Sequence, residues 1–211
     1  MKSLSLIVLL GAISLTMAFS QETSQIDTIS TETKTEEVKY KHSIGSSFFL
    51  LGNLDTEEPP MFFQLNYGYD LTPKDLIIVE AITWAYYRPL GLQYWDSVEE
   101  SYPGKIRSFG VGVGYQRFHW KGLYSTVQAT PFLQNFYDAE DAKIQSGFML
   151  WCQLRIGYRL EFFKKRWFLE PSVVINYWPV NTNLPESFGQ VESGLPNYFL
   201  FEPGLHFGFK F

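Results

Sequence analysis

The chain has 211 residues, with 17 Lys and Arg against 22 Asp and Glu for a formal net charge of -5, and it carries 19 Phe, 13 Tyr, 6 Trp and one Cys. An acidic balance without a Lys/Arg cluster excludes nucleic acid as the main partner, since phosphate binding needs clustered cations, and a single Cys excludes an internal disulfide framework and a thiolate zinc site. With 18% aromatic beside 18% charged residues and a mean hydropathy near zero, the composition fits poorly to an apolar core inside a charged shell, so the placement of the aromatics decides the class.

Residues 1–20 read as a secretory signal peptide. Lys2 supplies one positive charge and the apolar run from Leu4 to Phe19 is too short for a spanning helix, which needs roughly 20 residues. No Cys stands near the cleavage region, so lipid attachment there is not expected. Residues 21–39 are rich in Ser, Thr and Glu and hold too little apolar surface to offset the cost of ordering. They are expected to form a disordered periplasmic leader. The composition changes at Tyr40. From there to Phe211 no run of 18 apolar residues occurs, so a membrane form of the 40–211 domain must be a barrel.

That domain reads as eight strands. They are 42–52, 61–71 (Phe63, Leu65, Tyr67, Tyr69 and Leu71 on one face), 76–87, 106–117, 123–136, 147–162, 167–178 and the final stretch to Phe211. In 76–87 either parity is plausible, and Glu80 is placed inward because a carboxylate facing lipid is costly. Gly110-Val111-Gly112-Val113-Gly114 lies inside a strand and lacks the spacing of a dinucleotide loop, so its small residues are expected to make room for bulky neighbours. The stretch 147–162 puts Phe148, Leu150, Cys152, Leu154, Ile156, Tyr158, Leu160 and Phe162 on one face, and 167–178 does the same with Trp167, Leu169, Val173, Ile175 and Tyr177. A turn at 163–166 would oppose Arg159 to Glu170, Gln153 to Asn176 and Trp151 to Trp178 on one face, and Leu160 to Leu169, Ile156 to Val173 and Leu154 to Ile175 on the other. In the last strand Phe199, Phe201, Leu205, Phe207, Phe209 and Phe211 share the odd positions. The connections are expected to be short at 72–75, 119–122 and 163–166, and long near 53–60, 88–105, 137–146 and 179–196, the alternation of an up-and-down barrel.

The signal segment, the alternating strands of 40–211 and the ending Phe207-Gly208-Phe209-Lys210-Phe211 resemble the small eight-stranded outer-membrane barrels of Gram-negative bacteria, of the general OmpA/OmpX architecture. The resemblance implies an all-β, antiparallel, up-and-down transmembrane β-barrel in the cell outer membrane. It also implies that Phe207, Phe209 and Phe211 form the signal read by the barrel-assembly machinery. Outer-membrane lipid is the other expected partner, and the chain is expected to be a monomer with no cofactor and no metal.

Eight strands leave an interior that side chains fill, so no open channel is expected. The inward set includes Asp70, Glu80, Arg155, Arg159, Glu170, Glu202 and His206, read as a lumen network of mutually neutralised charges. An acid–base role for the paired carboxylates is the competing reading. Among the three His, His119 is expected in a short turn and His42 at the start of the first strand, both toward the periplasm. His206 points into the lumen with no Ser at a telling sequence spacing. The expectation is therefore a non-enzymatic barrel with a structural or surface-loop binding role. A lipid A or phospholipid-modifying barrel enzyme and a soluble lipocalin-like carrier of an apolar ligand are the alternatives. Aromatics gather toward both ends, with Trp84, Tyr86, Tyr87, Tyr94, Trp95, Phe136, Tyr137, Tyr177, Trp178 and Tyr198 at one and Phe118, Trp120, Phe162, Phe163 and Trp167 at the other. Two interfacial belts are expected from them. Glu-Pro recurs at 170–171 and 202–203, each Pro marking a bulge or local break.

Overall fold

The computed structural model describes residues 40–56, 59–87, 90 and 104–211; the expectations for 1–39, and for Tyr94 and Trp95, lie outside the described residues. The strands are β1 (His42–Ser47), β2 (Phe63–Asp70), β3 (Asp75–Tyr86), β4 (Lys105–Trp120), β5 (Leu123–Tyr137), β6 (Lys143–Tyr158), β7 (Leu160–Phe162), β8 (Trp167–Thr182) and β9 (Tyr198–Lys210). A 3-10 segment, Phe48–Leu54, follows β1, and helix α1 (Glu186–Glu192) precedes β9. All neighbours are antiparallel in the order β6-β5-β4-β3-β2-β1-β9-β8-β7, and β6 also pairs β8. Because β7 continues β6 past Arg159, the ring has eight strands and closes. Following paired residues once around returns to β1 about ten positions further along, a stagger that tilts the strands by about 40°. Among the described residues no helix is long and apolar enough to cross a membrane.

The two-residue period governs every wall. On β4, Ile106, Ser108 and Gln116 are buried while Phe109, Val111, Val113 and Tyr115 face out. Gly110 and Gly112 sit inward between them, where a Cβ would collide with Phe132 and Thr130, as expected of small residues beside bulky ones. The β6–β8 hairpin keeps the expected register, with Leu154 opposite Ile175, Ile156 opposite Val173 and Gln153 opposite Asn176, and Leu160 opposite Leu169 on β7. Phe163, Lys164 and Lys165 form its turn, all three with positive φ. A bulge between Leu150 and Cys152 shifts the pairing beyond, yet Trp151 and Trp178 still stack with ring centroids 5.1 Å apart and planes 4° from parallel.

Several boundaries differ from the expectation. The stretch 137–146 is no long loop, because Asp138 Oδ1 accepts from the Glu140 and Ala142 amides at 3.1 and 2.8 Å and turns the chain within 138–142. The 179–196 connection is partly strand, to Thr182, and partly α1. His119 is a strand residue whose Nε2 lies 2.8 Å from Ser125 Oγ. In β9 a register shift opposite Val174–Asn176 reverses the parity beyond it. Phe199 consequently packs on Trp178 at 5.0 Å, and Phe201, at φ 60, breaks the Phe stripe. The first strand stops at Ser47, whose hydroxyl accepts the Phe49 amide and starts the 3-10 segment.

The early end of β1 leaves the facing edges of β2 and β9 unpaired toward the long-connection end. Side chains satisfy part of the β2 edge. Ser46 Oγ donates to Gln64 O at 2.7 Å, and Asn53 brackets Phe62, donating to its carbonyl at 2.8 Å and accepting its amide at 2.6 Å. On β9, Pro203 shares the alternation of Phe211, whose N–H bonds to His42 O. The unpaired edge therefore carries a position with no donor to satisfy.

The interior is divided along its length. Toward the long connections it is apolar, with Leu90, Phe132, Met149, Trp151 and Trp178 in one cluster and Ile106, Phe136 and Phe188 in another. Trp84, Tyr86 and Phe199 pack against the first. This corrects the expected belt at that end. Trp84, Tyr86, Phe136 and Trp178 fill the interior, where bulky rings close the lumen, while Tyr137, Tyr177 and Tyr198 alternate outward and Tyr87, past the end of β3, donates to Pro59 O at 3.4 Å. At the short-turn end Trp120, Phe162, Phe163 and Trp167 are exposed as expected, while Phe118 turns inward.

Candidate functional site

Below the aromatic plug the lumen is polar, and it gathers most of the expected residues into three groups. Glu80, on β3, accepts from Gln64 Nε2 across to β2 and from Thr130 Oγ1 at 3.0 Å. Glu202 is exposed, beyond the end of β1, and accepts from Asn176 Nδ2, whose own Oδ1 accepts from Gln153 Nε2 at 2.8 Å. Glu170 Oε1 accepts from Arg159 Nε at 2.6 Å and from Gln116 Nε2 at 3.2 Å. The Arg159 guanidinium is held between the rings of Phe118 and Phe168, 4.8 and 4.3 Å from their centroids. Arg159 falls between β6 and β7, its amide bonded to Gly122 O, and it keeps the inward alternation of Gln153 and Arg155 and the register that sets it opposite Glu170. Asp70 ends β2 at the short-turn rim and is only half-buried.

Arg155 and His206 are both buried yet stand apart from these groups. Arg155 Nε and His206 Nδ1 have no hydrogen-bond partner. Both line a cavity of about 30 Å³ together with Arg159, Glu170, Gln116 and Ser43. On the register, His206 lies opposite Ser47 of β1 and opposite Glu170 of β8. A Ser, a His and a carboxylate thus share one row, a juxtaposition that sequence spacing hides because the three lie on strands far apart in the chain. The hydrogen bonds run elsewhere. Ser47 Oγ accepts the Phe49 amide and the described partners of Glu170 are Arg159 and Gln116. The cavity holds about one water's volume, too little for an ester substrate.

Sequence reading missed Gln64, Thr130 and Ser43. Alternation on β2 alone would have placed Gln64 inward, opposite in parity to Phe63 and Leu65. The expected assembly-signal residues are wall residues here: Phe209 meets Trp167 at 5.1 Å, Phe207 meets Phe48 at 4.8 Å and Phe211 stacks on His42 at 5.7 Å. Among the described residues no group of three His, Cys, Asp or Glu could hold a metal.

The loop end has its own electrostatics. Helix α1 inserts Phe188 over Ile106 and Phe136 and brings Glu192 onto Asn181, whose Nδ2 donates to Glu192 Oε1. Burial pushes the Glu192 carboxyl above its ordinary range, with the Asn181 bond opposing. In the 138–142 turn, the Lys105 ammonium, 2.5 Å from Asp141, holds that carboxyl below its ordinary range. Compared with family models, curated proteins and solved structures, the chain matches none of them.

Proposed function

We propose that this chain is an integral β-barrel of the Gram-negative outer membrane, monomeric and without an open channel, whose role is structural or lies in binding through its loop-end surface. One observation carries the reading. The closed ring of eight strands turns apolar side chains outward along its wall and, below the aromatic plug, polar ones inward. Phe63, Leu65, Phe109, Val111, Val113, Val127, Leu133, Leu154, Ile156 and Val173 are exposed, while Gln64, Glu80, Gln116, Thr126, Thr130, Arg155, Glu170 and Asn176 are buried. Water outside such a wall would meet a patch far larger than soluble proteins carry, whereas lipid would be matched by it. A lipocalin-like carrier would need the reverse, an apolar pocket inside a polar wall. The lumen polar groups then serve as a hydrogen-bonded filler that keeps the ring closed, with one ion pair, Arg159–Glu170, where the sequence led to the expectation of mutual neutralisation. The outward Phe207, Phe209 and Phe211 fit recognition by the barrel-assembly machinery and contact with lipid.

An epitope inserted after Glu140 and another within 163–166 test the reading in a Gram-negative host. Antibody binding to the first on intact cells, and to the second only after permeabilisation, is the expected result. Exposure of both in a soluble fraction contradicts it.

A further inference from the structure

Arg155 is 5% exposed and points into the lumen from β6, and none of the described hydrogen bonds or ion pairs involves it. The three lumen carboxylates are occupied elsewhere. Glu80 is held by the neutral donors Gln64 and Thr130, Glu202 by Asn176, and Glu170 by Arg159 and Gln116. The wall of the 30 Å³ cavity therefore carries two guanidinium groups against one carboxylate, and the carboxylate is already shared. A guanidinium has five donors and stays charged at any accessible pH. Buried without an anion it costs several kcal/mol.

We propose that this cavity is a binding site for one small inorganic anion of halide size, held by the Arg155 guanidinium. Arg155 supplies the charge. The Ser43 hydroxyl and the Gln128 amide line the same cavity and are of the right type to complete the shell. A halide is the class proposed because the space beside Arg155, about 30 Å³, suits an ion of about the size of a water. Neutralising Arg155 from inside fixes β6 against the β1–β9 wall, where Gly45 and Phe207 form the opposite side of the cavity. The proposal concerns the interior alone and holds whether the outer wall meets lipid or another partner.

The test uses the full chain folded in detergent micelles, at one ionic strength, with sodium bromide exchanged against sodium gluconate, whose anion is too large for the cavity. Near-ultraviolet circular dichroism follows thermal unfolding. The native chain should melt higher in bromide, by about 3–6 °C for each tenfold rise above saturation. Arg155→Gln should lose that dependence, and Arg117→Gln, at the rim, should keep it. Crystals grown in bromide should show an anomalous peak beside Arg155, which decides the matter even if Arg155→Gln does not fold. Equal melting in both salts with no bromide peak, meaning that water alone fills the cavity, overturns the proposal.

Discussion

Arg107 and Arg117 point outward from the same face of β4, ten positions apart, and the outward side chains between them are Phe109, Val111, Val113 and Tyr115, the last with its ring in the band and its hydroxyl on Asp75. Arg107 faces Asn135 and Arg117 faces Ser125 on the neighbouring strand, so polar rows bound the band at both ends. Arg117 is anchored by Asp75 at 2.6 Å, and Ser146 donates to Asn135 at 2.9 Å. Ten positions at about 3.3 Å each, tilted by about 40°, rise about 25 Å, the height of the apolar band on outer-membrane barrels.

That spacing makes Val113 a near-midplane position. Val113→Arg is expected to cost about 2–4 kcal/mol of folding free energy in lipid vesicles, measured by urea titration of the inserted chain. On a wall facing water the same change would stay within about 0.5 kcal/mol.

The Trp151–Trp178 stack closes the lumen toward the long connections. Trp178, 2% exposed, also touches Phe199. Trp178→Ala should cost about 3–5 kcal/mol and remove the near-ultraviolet dichroism of the paired indoles. A variant with unchanged stability would mean that the plug adds nothing to closure.

Glu170 is the only lumen carboxylate on a guanidinium among the described residues. Glu170→Gln keeps the shape but strands the Arg159 charge, and about 3–5 kcal/mol should be lost. Pairing it with Arg159→Met should return most of that loss, because the stranded charge is gone. A double-mutant cycle with a coupling near zero would show that the two side chains do not act as a pair.

Two loop-end carboxylates answer acid in opposite senses. The Glu192 carboxyl titrates above its ordinary 4.5 because docking α1 buries it. Its contribution to docking is complete below 4.5 and lost as pH rises through the folded value. Asp141, held below its ordinary 3.8 by Lys105, contributes above 3.8 and loses that contribution as pH falls through its folded value. Amide protection in 186–192, taken relative to the intrinsic exchange rate at each pH, should therefore rise on acidification from neutral pH, and Glu192→Gln should make that protection independent of pH. Protection in 138–142 should fall as pH drops below 3.8 through the folded value of Asp141.

The unpaired edge beside the short β1 gives a last variant. Asn53→Ala leaves the Phe62 amide and carbonyl without their described partner, a loss of about 1–3 kcal/mol. Stability equal to that of the native chain would show that water or lipid head groups replace the bracket.

The wall was legible in the sequence because alternation is a local property. The β6–β8 register followed from one turn and two faces, and Glu80 was placed inward by cost alone. What eluded sequence reading depends on residues that break the period. The extra residue near Phe201 reverses the outer half of β9, and Ser47 ends β1 by capping the next turn. The helix at Glu186–Glu192 is too short for its pattern to stand out. In the lumen, residue types were foreseeable but partners were not, since the row of Ser47, His206 and Glu170 exists only through pairings between distant strands.

The most direct measurement is gel migration of membrane-fraction samples with and without boiling. A closed, lipid-embedded ring predicts that the chain sediments with the outer membrane and that its unboiled band runs ahead of the boiled one. A soluble chain whose band does not move on boiling would contradict the account, and would make its apolar outer wall a surface covered by something other than lipid.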